Sequence, residues 1–68
     1  MCLTVVLDRE EDGRWIAEVP QLPGVLVYAQ TEDAAVTKAK ALSLRVLADR
    51  LEHGEVFPEM DELFLVAP

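Results

Sequence analysis

Arg14-Trp15-Ile16-Ala17-Glu18-Val19-Pro20-Gln21-Leu22-Pro23-Gly24-Val25-Leu26-Val27-Tyr28-Ala29-Gln30-Thr31-Glu32-Asp33 carries the punctuation that decides the fold. Pro20 and Pro23 stand three residues apart, and two prolines that close cannot both sit in a central strand. Pro23-Gly24 suits the central pair of a type II turn, where the second residue needs a positive φ. The break separates a strand over 14–19, with Trp15, Ala17 and Val19 on one face, from a strand over 25–29. Thr31 then offers a hydroxyl to a free first-turn amide, and Glu32 and Asp33 complement the positive end of a helix.

Working outward, residues 2–8 read as a first strand with Leu3, Val5 and Leu7 on one face. Arg9-Glu10-Glu11-Asp12-Gly13 is a polar turn ending in Asp-Gly, a strong hairpin signal. From Thr31 to Glu52 there is no Gly or Pro, which predicts one long helix. Ala35, Ala39, Leu42 and Val46 make its apolar stripe; Val36, Leu47 and Leu51 widen it, and Ala41 and Leu44 lie off its centre. Gly54 stands where a left-handed cap belongs. Residues 55–61 read as a loop with Pro58, and Leu63 to Ala67 as a last short strand.

The expected class is therefore α+β with order β-β-β-α-β: an antiparallel meander, one helix and a C-terminal strand. Strand 4 would lie parallel to strand 1, giving sheet order 3-2-1-4. One helix covers one face of such a sheet; the other face is left to solvent or a second chain.

Composition narrows the function. Sixty-eight residues make a single domain, 1–68, with a small core. Small domains are commonly stapled by disulfides, metal or a partner. Cys2 is the single cysteine and His53 the single histidine. Neither a disulfide nor a tetrahedral zinc site can be built from them alone, so a homo-oligomer, at least a dimer, is expected. The lone cysteine fits a reducing, cytoplasmic setting. Six Lys+Arg against 13 Asp+Glu leave a net charge of −7. That balance disfavours direct binding to nucleic acid or an anionic membrane and favours a basic protein partner; acidity for solubility is the ordinary alternative.

No motif for chemistry stands out, and no cofactor, metal or catalytic residue is expected. Ser43 and His53 are ten residues apart with nothing to join them as nucleophile and base. His53 suits the negative end of the helix. Asp8, Glu18 and Asp49 would need to converge on divalent ions to make a nuclease, and no spacing shows that they do. Trp15 reads as core, with an interface anchor as the sharper alternative.

Glu11-Asp12-Gly13-Arg14-Trp15-Ile16-Ala17-Glu18-Val19-Pro20-Gln21-Leu22-Pro23-Gly24-Val25, followed by Thr31-Glu32-Asp33-Ala34-Ala35-Val36, resembles the HicB-like antitoxin family. Pro20, Leu22, Pro23 and Gly24 match its loop; Thr31, Glu32, Asp33, Ala35 and Val36 match its helix start. The tail of the helix, residues 47–55, resembles a short single-domain branch. Position 25 is Val where many members have Cys. The resemblance implies a partial ribonuclease-H-like fold and the antitoxin role in a type II toxin–antitoxin pair. The implied partner is a small basic HicA-type toxin that cleaves mRNA. The C-terminal DNA-binding segment of many members is not expected, since the sequence ends at Pro68. The alternative is an orphan oligomeric domain of the same fold that binds another protein or a ligand.

Two segments are candidate partner contacts: the acidic tip Glu10, Glu11 and Asp12, and the loop residues Pro20, Leu22 and Pro23. They lie at opposite ends of strand 2, so one partner meets both only by lying along the strand. For the loop a purely structural reading stands equally: Pro and Gly fix the turn and Leu22 tucks beneath the helix.

Overall fold

A computed structural model describes residues 2–55 and 58–68. Three short strands, β1 (Val6–Arg9), β2 (Trp15–Glu18) and β3 (Leu26–Ala29), form an antiparallel meander in the order β1-β2-β3. Leu7 stands opposite Ala17, and Ala17 opposite Val27; Trp15 stands opposite Ala29. The α+β class expected from the sequence is the one observed.

The turns form where the sequence places them. At the first hairpin the Gly13 amide donates to the Glu10 carbonyl at 2.9 Å, and the Glu10 amide to the Arg14 carbonyl at 2.8 Å. Gly13 takes φ +92°, a region that L side chains avoid. In the second connection the Val25 amide donates to the Leu22 carbonyl at 3.0 Å across Pro23-Gly24, with Gly24 at φ +94°. This is the hydrogen bond and the glycine of a type II turn.

Helix α1 runs from Glu32 to Glu52. The Thr31 hydroxyl accepts from the Ala34 amide at 3.1 Å, satisfying one of the free first-turn donors. At the far end the Gly54 amide donates to Leu51 and the Glu55 amide to Arg50, the paired bonds of a Schellman cap.

The core lies between α1 and one face of the sheet. Val19, Leu22 and Val25 are its largest fully buried side chains. Burial of each stabilises the fold by roughly 1.5–3 kcal/mol. From the helix, Ala35, Ala39, Ser43 and Leu47 are buried at strict four-residue spacing. Leu42 and Val46 pack partly against them. Ser43 fits an apolar stripe because its hydroxyl donates to the Ala39 carbonyl at 2.7 Å. Small alanines at 17, 29, 35 and 39 let the helix approach the sheet closely, at the cost of a thin core.

Two expectations are corrected. Much of 55–61 is not loop: Pro58–Leu63 is a 3-10 helix, opened by a proline whose missing amide costs nothing at a helix start. Residues 56 and 57 lie outside the described residues. The fourth strand is also absent from the sheet. Leu63 closes the 3-10 helix and residues 64–68 have no regular structure, so the order 3-2-1-4 is realised only as its first three strands. A strand needs an edge to pair with, and in this chain the segment lies on none.

Candidate functional site

The acidic tip and the proline loop occupy opposite ends of β2, as expected. A four-residue strand spans about 13 Å, so the two are not brought together. At the tip, Asp12 is committed to its own turn. Its Oδ1 accepts from the Arg14 amide at 3.0 Å and its Oδ2 from Arg14 Nε at 2.8 Å. The Arg14 amide chiefly, with the guanidinium, holds the Asp12 carboxyl below its ordinary 3.8. Glu10 is half-buried and Glu11 exposed; among the described residues neither has an ion pair. In the loop, Pro20 and Pro23 are exposed, but Leu22 is 1% exposed. The apolar anchor that Leu22 could have offered a partner is withdrawn into the core, and its place beneath the helix is the structural role.

Between these two ends lies a surface that neither segment announces. Side chains alternate along a strand, so Val6, Asp8, Ile16, Glu18, Leu26 and Tyr28 share the face turned away from α1. Val6 sits opposite Glu18 and Glu18 opposite Leu26; Asp8 sits opposite Ile16 and Ile16 opposite Tyr28. Val6, Leu26 and Tyr28 are 41–45% exposed. Arg14 places its guanidinium 4.8 Å over the Tyr28 ring, holding the aromatic edge of the patch in place. The result is a largely apolar face with Glu18 on its central strand between Val6 and Leu26 and Asp8 on the β1 edge. The sequence did carry its signal: Val5-Val6-Leu7 and Val25-Leu26-Val27-Tyr28 are apolar at both parities, the pattern of strands covered on both faces.

Charge is distributed to match. Residues 1–31 hold five acids and two bases, α1 holds four of each, and residues 53–68 hold four acids and no base. The helix is thus neutral overall, and the excess sits on the sheet half and the C-terminal segment.

Groups that could do chemistry are otherwise engaged. Ser43 is buried and bonded to Ala39. His53 Nδ1 lies 2.7 Å from the Asp49 carbonyl at the exposed end of the helix. Among the described residues no three His, Cys, Asp or Glu side chains are placed to hold a metal ion. Among the described residues no helix is long and apolar enough to cross a membrane. Cys2 is exposed, ahead of β1.

These features define a small α+β protein with exposed apolar side chains on the outer face of its sheet. It is similar to UPF0150 protein Ta0767 of Thermoplasma acidophilum, with 29% identity over 58 residues covering 85% of this chain and 84% of that one. No family model matches the chain, and no solved structure does.

Proposed function

We propose that this chain is the antitoxin of a type II toxin–antitoxin pair and neutralises a small basic, mRNA-cleaving HicA-type toxin by binding it. The supporting observation is the outer sheet face, where Val6, Ile16, Leu26 and Tyr28 are apolar, Glu18 stands between Val6 and Leu26 on the central strand, and Asp8 lies on the β1 edge. Exposed apolar and aromatic side chains supply the contact area of a protein interface. Carboxylates among and around them suit a basic partner, steer it and speed its encounter. A partner laid along the strands meets this face, Glu10 and Glu11 at one end, and Pro20 and Pro23 at the other. The resemblance of the Pro20–Gly24 loop and Thr31–Val36 helix start to HicB-like antitoxins supports the same reading.

In this reading the chain acts by covering its partner's active site and performs no catalysis. Its setting is the cytoplasm, where mRNA is cleaved. Co-expression with a HicA-type toxin tests it. Growth should be rescued by the wild-type chain and not by a variant carrying Leu26→Asp and Tyr28→Asp. Rescue by that folded variant, or none by the wild type, removes the proposal.

A further inference from the structure

The C-terminal segment is the least settled part of the molecule by its own chemistry. Leu63-Phe64-Leu65-Val66-Ala67 is apolar at every position, and Leu65 and Val66 are 95% and 92% exposed. Water is a poor place for four successive large apolar side chains. The molecule is also elongated. The long axis is 52 Å and the radius of gyration 14.1 Å, against about 11 Å for a compact domain of this length. A helix of 21 residues is itself about 31 Å long.

The sheet has two outer edges, and they differ. On β3 the Lys38 ammonium donates to the Tyr28 carbonyl at 3.2 Å, blocking that edge with a charge. On β1 the Glu10 amide bonds to Arg14 and the Thr4 amide to Gln21, so even-numbered residues face β2. By alternation the backbone groups of Val5 and Leu7 face outward. Beside this edge runs an apolar groove lined by Leu3, Val5, Val19, Lys40, Ser43 and Leu44, and Leu44 is the most exposed large apolar residue of the helix.

We infer that residues 63–67 of one copy add as a strand to the β1 edge of a second copy, and that the exchange is reciprocal. Position supports this. Leu63 and Phe64, at the root of the tail, line a pocket with Leu44, and Leu44 also lines the groove beside Leu3 and Val5. The tail therefore leaves near the start of β1, with Leu65 and Val66 projecting into solvent. A two-fold axis at that point sets each tail beside the partner's β1. One set of alternate side chains then fills the groove against Leu44, and the other extends the outer face beside Val6. Reciprocity closes the assembly as a dimer, where a one-way contact would grow into filaments. The inference stands apart from the identity of any toxin.

Sedimentation equilibrium of the full chain at micromolar concentration should give a dimer. A variant with Leu65→Asp and Val66→Asp should be monomeric with its helical circular dichroism unchanged. Deuterium exchange on the wild type should show amides of 64–67, Val5 and Leu7 slowed at least tenfold relative to that variant. If the variant fails to fold, slow tail amides in the wild-type dimer still support the exchange. A monomeric wild type overturns it, and so does a monomer whose own tail is protected. A dimer that survives both substitutions, or one whose tail amides exchange at the rate of an open chain, also overturns it.

Discussion

Lys38 Nζ lies 3.2 Å from the carbonyl oxygen of Tyr28, so the second turn of the helix ties off the outer edge of β3. An open strand edge is a template for pairing with another chain, and a lysine there is a common guard. The bond is exposed, so Lys38→Met should cost only about 0.5–1 kcal/mol of stability. Its larger effect should be on association: light scattering on heating should rise earlier for Lys38→Met than for the wild type. Unchanged scattering would mean that this edge needs no guard.

Leu22 sits in the core, so Leu22→Ala should destabilise by about 2–4 kcal/mol. A side chain at Gly24 meets open space but is forced to φ +94°, so Gly24→Ala should cost about 1 kcal/mol or more through backbone strain alone. Urea denaturation of both variants checks the order. An equal or larger loss at Gly24 would contradict the placement of Leu22.

How much of this could be read beforehand differs from residue to residue. Thr31, Pro23-Gly24 and Gly54 act through their own neighbours in the chain, and each does what its chemistry dictates. Ser43 interrupts the apolar stripe by residue type, because a hydroxyl is polar until its Ala39 acceptor is in view. Leu51 falls on the apolar stripe by spacing but is exposed. A helix of about 31 Å overruns strands of about 13 Å, so its last turn has no sheet beneath it. The expected Leu63–Ala67 strand rests on side-chain pattern alone, which says nothing about which edge, or whose, supplies its hydrogen bonds. One helix leaves the second face of the sheet to solvent or a second chain, but the pairing register is needed to place Val6, Leu26 and Tyr28 together on it.

Asp12 supplies a pH dependence. Its folded carboxyl is held below the ordinary 3.8, so the stabilisation is fully present above that value. It is lost as pH falls below 3.8 and the carboxylate takes up a proton. Amide exchange at Arg14 should therefore quicken, relative to its intrinsic rate, below about pH 3.8. Asp12→Asn should remove that step. A wild-type profile that the substitution leaves unaltered would show that the bond to Arg14 does not persist in solution.

The central claim is that the outer sheet face covers a basic, mRNA-cleaving partner, and titrating this chain into an RNA-cleavage assay with a purified HicA-type toxin tests it most directly. Cleavage should fall to background at one chain per toxin. Glu10→Lys with Glu11→Lys should slow binding and flatten its salt dependence, since charges outside the apolar patch act mainly on encounter. Leu26→Asp with Tyr28→Asp should leave the chain folded and the toxin fully active. Cleavage undiminished by excess wild-type chain, or inhibition unchanged by the Leu26 and Tyr28 substitutions, would contradict the account.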